Sequence, residues 1–164
     1  MAKIFNTEGK YIKYIDEGPD RMLWYGCGCI CKRDSLRLGE SWKAKMEAIL
    51  KMWNVPGFYG FIENGYTTKY VDGFDLQGNK PFEMDGNKVD VVVSNQLKLE
   101  VLELFGNAIR VGKALGFTFG DITCGNIFTD GQKLYLIDYD VIVPYPLSEE
   151  YESVWKNTLN LLIH

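Results

Sequence analysis

The sequence predicts an α+β fold of two lobes, in which an antiparallel N-terminal sheet carries one helix and a short, mainly helical C-terminal lobe follows. The first third alternates apolar and polar residues in short runs separated by turn residues, a pattern typical of antiparallel strands. Later segments repeat apolar residues at three- and four-residue steps, as helices do. The polar, glycine-rich stretch at 72–90 predicts a linker, so we expect lobes at 1–73 and 74–164.

Five strands and one helix are expected in the N-terminal lobe. The runs AKIF, YIKYI and RMLWYGCGCICK predict a three-stranded meander, in which the last run forms one long strand. A helix from about Leu36 to Trp53 follows, with Ser35 as a candidate cap. The runs GFYGFIE and YTTKYV, joined by Asn-Gly, predict a hairpin. The apolar stripe of the helix consists of Trp42, Met46, Ile49, Leu50 and Trp53.

The C-terminal lobe is expected to contain two helices on either side of a small hairpin. The segment SNQLKLEVLELFGNAIRVGKALG has the clearest helical repeat, and Gly116 stands where a C-cap glycine belongs. The segment NIFTDGQKLYLID is typical of a strand, an Asp-Gly turn and a second strand. From Ser148 onward, apolar residues again recur at helical spacing. The stripe of the first helix is Leu97, Val101, Leu104, Phe105, Ala108, Ile109 and Leu115.

Composition and charge exclude several classes of protein. The chain has 164 residues, of which 46% are apolar, so it can bury a core and is not typical of disordered chains. Its 18 basic and 22 acidic residues give a net charge of −4, which does not indicate a nucleic-acid partner. The sequence contains neither a signal segment nor a long apolar run, so we expect a soluble, cytoplasmic protein without a membrane partner.

The cysteines suggest core thiols more strongly than a metal site. Cys27, Cys29 and Cys31 alternate in CGCIC, which would place all three on one face of a strand. A zinc site is the alternative, but the spacing is not C-x-x-C and the sole histidine is His164. We therefore expect reduced cysteines.

The segment from Phe119 to Asp140, FGDITCGNIFTDGQKLYLIDYD, carries the polar residues that point to chemistry. Asp121 and Asn126 precede the predicted hairpin, and Asp138 follows it. Oxygen ligands at the two ends of a hairpin can converge on Mg²⁺, which binds few protein oxygens and substrate phosphates. Phosphoryl transfer needs little beyond such positioning and charge neutralisation.

At these residues the chain resembles the protein-kinase-like superfamily. GDITCGN resembles the catalytic loop, LIDYD resembles the metal-binding segment, and TKYVDG is similar to the hinge between lobes. These motifs are most similar to those of aminoglycoside-phosphotransferase-like and other small atypical kinases, because Gly120 precedes Asp121 and Asp-Tyr-Asp replaces Asp-Phe-Gly. The resemblance implies that Asp121 is the catalytic base and that Asn126 and Asp138 hold Mg²⁺.

The resemblance also implies a nucleotide site. Lys32, just before the first helix, matches the lysine that contacts the phosphates of ATP, and Glu47 would be its buried ion-pair partner. Lys13 and Glu40 are the alternatives for these two roles.

The adenine of ATP would lie near the predicted hinge, at Lys69 and Val71. The glycine-rich loop is the weakest match, since NTEGKY contains one glycine where protein kinases show three.

These features predict an ATP- and Mg²⁺-dependent phosphotransferase acting on a hydroxyl of a protein or small molecule. The alternative is a catalytically inactive pseudokinase that serves as an interaction or regulatory module. Phe119 in place of the usual histidine, and a C-terminal lobe with only 24 residues after Asp140, favour the alternative. A partner protein or a second copy could complete that lobe through the apolar tail YESVWKNTLNLLI.

Overall fold

The computed structural model describes eight stretches of the chain. Their ranges are 2–5, 11–15, 21–26, 29–34, 39–62, 65–69, 73–79 and 90–163. The N-terminal elements are β1 (Ala2–Phe5), β2 (Tyr11–Ile15), β3 (Arg21–Gly26), β4 (Cys29–Asp34), α1 (Glu40–Met52), β5 (Phe58–Ile62) and β6 (Gly65–Lys69).

These strands do not form the expected five-stranded sheet. A four-stranded antiparallel sheet has the order β3-β4-β6-β5, and β1 pairs separately with β2. The run RMLWYGCGCICK forms two antiparallel strands instead of one, since Gly26 at the end of β3 pairs with Cys29 at the start of β4. Glycine weakens a strand because it has no side chain to pack, which explains why β3 ends at Gly26. The helix therefore follows the fourth strand.

The same break changes the expectation for the cysteines. Cys29 and Cys31 belong to β4, whereas Cys27 precedes this strand and lies outside the described residues. Cys29 and Cys31 belong to one strand, and the part of the expectation that concerns Cys27 lies outside the described residues.

Helix α1 begins at Glu40, four residues later than expected, and Gly39 occupies its N-cap without a side-chain hydrogen bond. Ser35, the expected cap, lies outside the described residues. The helix ends at Met52, and the backbone N–H of Trp53 donates to the carbonyl of Ile49. Its buried face consists of Trp42, Met46 and Ile49.

In the described residues from 73 onward, the chain forms both expected helices and five short strands. These elements are β7 (Phe74–Asp75), α2 (Asn95–Leu115), β8 (Phe117–Phe119), β9 (Ile127–Thr129), β10 (Leu134–Leu136), β11 (Ile142–Pro144) and α3 (Glu149–Ile163). The expected hairpin is confirmed as β9 and β10, which pair antiparallel. Strand β7, from within the predicted linker, joins this sheet in the order β10-β9-β7, and β8 pairs with β11.

Both ends of α2 are capped. The Ser94 hydroxyl accepts a hydrogen bond from the backbone N–H of Leu97 at 3.2 Å. At the other end Gly116 has φ +81°, a left-handed conformation that glycine adopts without steric cost. The expected C-cap is confirmed, and the cap directs the chain into β8.

One buried cluster connects the two parts of the chain. It contains Trp42, Met46 and Ile49 of α1 and Tyr66 of β6, together with residues of α2, β8, β9, β10 and α3. The division into lobes at 1–73 and 74–164 stays a prediction, but the described parts of both share this core. Within the described ranges, every helix is too short or too polar to traverse a lipid bilayer.

Candidate functional site

A tight loop between β8 and β9 positions Asp121 and Asn126. The backbone N–H groups of Asn126 and Ile127 donate to the carbonyl of Thr123 at 3.0 and 3.1 Å, so the loop turns back on itself. At the start of the loop, the indole N–H of Trp155 on α3 donates to the Gly120 carbonyl at 3.0 Å. The loop is therefore fixed on both sides of Asp121.

Gly120 is required by close packing at this loop. A Cβ atom at this position would lie 2.9 Å from both methyl groups of Val143 and 3.0 Å from the ring of Tyr151. The glycine that precedes the predicted catalytic aspartate thus lets β11 and α3 approach the loop backbone.

The side chains of Asp121 and Asn126 are brought into direct contact. The amide nitrogen Nδ2 of Asn126 donates to the Asp121 carbonyl at 2.9 Å and to Asp121 Oδ2 at 3.1 Å. Both residues are half-buried. Because both bonds use the amide nitrogen, they fix the side chain of Asn126 with its amide oxygen directed elsewhere.

Asp138 lies on the chain segment next to this loop. The backbone N–H of Ile137 donates to the carbonyl of Asn126 at 3.0 Å, which joins the two segments one residue before Asp138. Asp138 Oδ1 accepts a hydrogen bond from the backbone N–H of Asp140 at 3.0 Å. The structure therefore places the three predicted residues on adjacent segments, and their roles stay predictions.

The residues that follow Asp138 are held by strand β6. Tyr66 is fully buried, and its hydroxyl donates to Asp140 Oδ1 at 2.8 Å and accepts from the backbone N–H of Tyr139 at 3.3 Å. Burial, and then the charges of Asp138 and Asp140, raise the pKa of Tyr66 well above its ordinary value. The hydroxyl is therefore protonated at neutral pH and serves as the donor to Asp140.

Tyr139 is anchored through its side chain and its backbone. Its buried hydroxyl contacts the carbonyl of Leu136 and lies 3.3 Å from the hydroxyl of Thr68, and burial raises its pKa. Its carbonyl accepts a hydrogen bond at 2.8 Å from the indole N–H of Trp42 on α1.

Sequence reasoning missed Trp42 and Tyr66 as site residues. It placed Trp42 in an apolar stripe and gave Tyr66 no role. The available signal was chemical, since a buried Tyr or Trp usually finds a partner for its polar group.

The residues of the expected lysine–glutamate pair lie on β4 and α1. Lys32 lies in β4, the strand before α1, and pairs in register with Leu23 and Tyr66. Glu47 is exposed, so the expectation of a buried acidic partner is wrong; its alternative, Glu40, is exposed as well. On a helix, Glu47 is turned roughly 100° from buried Met46, which explains its exposure. Pairing of Lys32 with Glu47 stays a prediction.

The predicted adenine contacts are only partly described. Lys69 is the last residue of β6, and its backbone N–H donates to the Gly57 carbonyl at 2.7 Å. Its ammonium lies 5.0 Å from the centre of the Tyr135 ring, within the range of a cation–π contact. Val71 and the loop at 6–10 lie outside the described residues, while the alternative lysine, Lys13, belongs to β2.

The described part of the predicted linker, 73–79, supports the loop that carries Asp121 and Asn126. The backbone N–H of Leu76 donates to the carbonyls of Cys124 and Ile127, both at 3.0 Å. Buried Asp75 accepts hydrogen bonds from two backbone N–H groups within its own turn. Burial of the Cys124 thiol, and then the charge of Asp75, raise the pKa of Cys124. Its thiol is therefore neutral and unreactive at pH 7.

The donor set at this site fits a hard cation. Asp121, Asn126 and Asp138 offer carboxylate and amide oxygens, which are the ligands that Mg²⁺ prefers. The described residues contain no group of three or more His, Cys, Asp or Glu side chains arranged for a metal ion. The predicted set has two carboxylates and one amide, so Mg²⁺ here would depend on substrate and water oxygens for the rest of its shell.

The fold is kinase-like. The chain is similar to the crystal structure of the Rio2 kinase–ADP/Mg²⁺–phosphoaspartate complex from Chaetomium thermophilum, with a TM-score of 0.52 and 14% sequence identity. The match covers 90% of this chain and 52% of that chain, so this chain corresponds to about half of that protein's length. No family model and no curated protein matches the sequence. The similarity to this kinase structure concerns the fold alone.

Proposed function

We propose that this chain is an ATP- and Mg²⁺-dependent phosphotransferase that transfers the γ-phosphate to a hydroxyl on a protein or a small molecule. The observation that carries the proposal is the double hydrogen bond from the Asn126 amide to Asp121, next to the segment that bears Asp138. The ADP and Mg²⁺ in the similar Rio2 kinase structure support the same ligands.

Each side chain has a distinct role in this proposal. The amide nitrogen of Asn126 orients Asp121, while its amide oxygen and the carboxylate of Asp138 would hold Mg²⁺. When bound, Mg²⁺ would neutralise charge on the phosphates. One oxygen of Asp121 accepts from Asn126, which leaves the other to accept the proton of the acceptor hydroxyl.

The nucleotide contacts and the partner are part of the same proposal. Lys32 would contact the phosphates, with Glu47 as its exposed partner, and the chain at Lys69 and Val71 would border the adenine. A partner protein or a second copy of the chain would extend the C-terminal part and present the hydroxyl that accepts the γ-phosphate.

The test measures nucleotide binding and turnover separately. Thermal unfolding is followed with ATP, with and without Mg²⁺, and γ-phosphate release or transfer is measured in parallel. Asp138→Asn should abolish the Mg²⁺-dependent part of the stabilisation, because it removes a charged oxygen ligand. Asp121→Asn should retain binding and lower turnover by about 10²–10⁴-fold, the range that general base catalysis contributes.

Asp130→Asn is the matched control. Asp130 is an exposed residue in the turn of the same hairpin, and its Oδ1 accepts from the backbone N–H groups of Gln132 and Lys133. Asparagine keeps such an acceptor, so this variant should bind and turn over ATP normally. An unchanged Mg²⁺ dependence in Asp138→Asn would show that Asp138 is not a metal ligand.

A pseudokinase is the second candidate, and two observations favour it. Glu47 is exposed, and Phe119 is buried against Trp53 and Tyr139, with ring centres 5.9 and 5.8 Å apart. Phe119 is therefore a packing residue where the family has a histidine. Binding of ATP without turnover would establish this second candidate, and lack of binding would refute the nucleotide site itself.

A further inference from the structure

The segment Asp138–Asp140 is attached to α1 and β6 by uncharged hydrogen-bond donors. The Trp42 indole donates to the Tyr139 carbonyl at 2.8 Å, and the Tyr66 hydroxyl donates to Asp140 Oδ1 at the same distance. Tyr66 also accepts from the backbone N–H of Tyr139. Both polar groups of the Tyr139 backbone are thus bonded to side chains from α1 and β6.

We propose that Trp42 and Tyr66 are positioning residues that together fix the Asp138–Asp140 segment in its metal-binding orientation. This inference rests on the proposed function of the site. The contacts form a chain: Tyr66 holds the carboxylate of Asp140, and the backbone N–H of Asp140 holds Oδ1 of Asp138. The orientation of the predicted metal ligand therefore depends on a tyrosine 72 positions earlier in the sequence.

Packing keeps the two donors in place relative to each other. The rings of Trp42 and Tyr66 are stacked, with their centres 5.6 Å apart and an angle of 27° between their planes. The Tyr66 and Tyr139 rings meet edge to face at 5.1 Å. Tyr66 is fully buried and Trp42 is 7% exposed, so water cannot easily replace either hydrogen bond.

The acidic residues of α1 do not share this role. Glu40 and Glu47 are exposed, whereas the buried face of the helix presents Trp42 to the segment. Helix α1 is therefore coupled to the site by a neutral N–H donor, and this coupling should persist at high salt, where exposed ion pairs are screened.

The experiment compares Tyr66→Phe and Trp42→Phe with the unmodified chain. Each variant removes a donor and keeps an aromatic ring. Tyr59→Phe is the matched control, because Tyr59 lies on the neighbouring strand β5 and is 57% exposed. Amide hydrogen exchange is measured first, without ligand, at 137–141 and in α2.

Exchange at 137–141 should become about five- to thirty-fold faster in both variants, the effect of losing roughly one buried hydrogen bond. Without denaturant, where local opening dominates exchange, exchange in α2 and in the Tyr59→Phe control should stay unchanged. Equal acceleration in α2 would show that the residues only stabilise the fold, and unchanged exchange at 137–141 would show that they do not hold the segment. Either result would overturn the inference.

The second measurement is the Mg²⁺ concentration that gives half-maximal stabilisation by ATP. It should rise by a similar factor in Tyr66→Phe and stay constant in Tyr59→Phe. Faster local exchange with an unchanged Mg²⁺ requirement would refute positioning of the metal ligand. If the unmodified chain shows no Mg²⁺-ATP stabilisation, the proposed function fails, and the exchange data then decide separately whether Trp42 and Tyr66 hold the segment.

Discussion

The carboxyl group of Glu100, on α2, is partly shielded from solvent, and this burial disfavours its charged form. Its Oε2 atom is shielded from solvent and has no hydrogen-bond partner among the described residues. Burial raises the pKa of Glu100 above 4.5, although a backbone hydrogen bond at Leu134 and the charge of Lys133 act in the opposite direction. The residue borders a cavity of about 150 Å³ between α2, β10 and the chain after α1. The carboxylate is therefore less stable in the folded chain than in the unfolded chain.

Because the pKa of Glu100 is raised in the folded chain, Glu100→Gln should change the pH dependence of stability. A raised carboxyl pKa means that the protonated form favours folding, so stability is lost as pH rises from 4.5 through the folded pKa. Glutamine cannot ionise, so the variant should have a higher melting temperature than the unmodified chain at pH 7. This advantage should disappear near pH 4, where the glutamate is protonated.

Thermal unfolding at both pH values checks this prediction. Asp90→Asn removes one charge from an exposed position outside the helices and controls for the change in net charge. An advantage of Glu100→Gln that is the same at pH 4 and pH 7 would contradict the argument.

Residue spacing selects Asp121, Asn126 and Asp138 as candidates, because their order around a hairpin is visible in the sequence, and their roles stay predictions. Spacing gives no such signal for Trp42 and Tyr66, because their partners lie 97 and 74 positions away and depend on how α1 and β6 pack. The exposure of Glu47 also depends on which face of α1 is buried.

At the scale of the elements, two glycines of helix α2 should respond in opposite directions when each is replaced by alanine. Gly106 lies in the interior of α2 and Gly116 caps its C-terminus with φ +81°, and a Cβ atom at either position would meet no atom within 4 Å. Substitution by alanine at these positions therefore tests backbone conformation without steric conflict.

Gly106→Ala should stabilise the chain by about 0.5–1 kcal/mol, because alanine restricts the unfolded chain and favours the helix. Gly116→Ala should destabilise it by about 1–2 kcal/mol, because a side chain disfavours the left-handed conformation. Denaturant unfolding of both variants checks the pair, each serving as the control for the other. If both variants changed the free energy of unfolding in the same direction, the left-handed cap at Gly116 could not be the cause of the difference.

Long periodic segments were predicted better than short strands. Helices α2 and α3 carry several turns of apolar repeat, whereas β8 and β11 have only three residues each and show no usable pattern. The separation of β3 from β4 was missed because apolar residues occur in both strands, on either side of the point where they divide. Pairing with neighbouring strands, rather than local composition, decides such boundaries.

At the scale of the whole molecule, the shared core predicts cooperative unfolding. Ile49 of α1 is fully buried in the cluster that also contains residues of α2 and α3. Ile49→Val should cost about 0.5–1.5 kcal/mol, and it should lower the stability of α2 as much as that of α1.

Hydrogen exchange in increasing denaturant measures this coupling, with α1 and α2 followed as separate peptides. Both helices should lose protection at one denaturant concentration, and Ile49→Val should shift both by the same amount. Loss of protection in α1 alone would instead support two independently folding lobes, as the sequence-based division at 1–73 and 74–164 suggests.

The hydrogen bond from Trp155 to the Gly120 carbonyl determines when, during translation, the loop around Asp121 can become fixed. The two residues are 35 positions apart, and the edge-to-face contact of Trp155 with Phe105 at 5.2 Å ties the same tryptophan to α2. During translation, the loop that contains Asp121 leaves the ribosome well before Trp155 does. A nascent chain that has emerged as far as Asp138 but not as far as Trp155 carries every proposed ligand for Mg²⁺ without this hydrogen bond, so its loop is held in place only when α3 emerges.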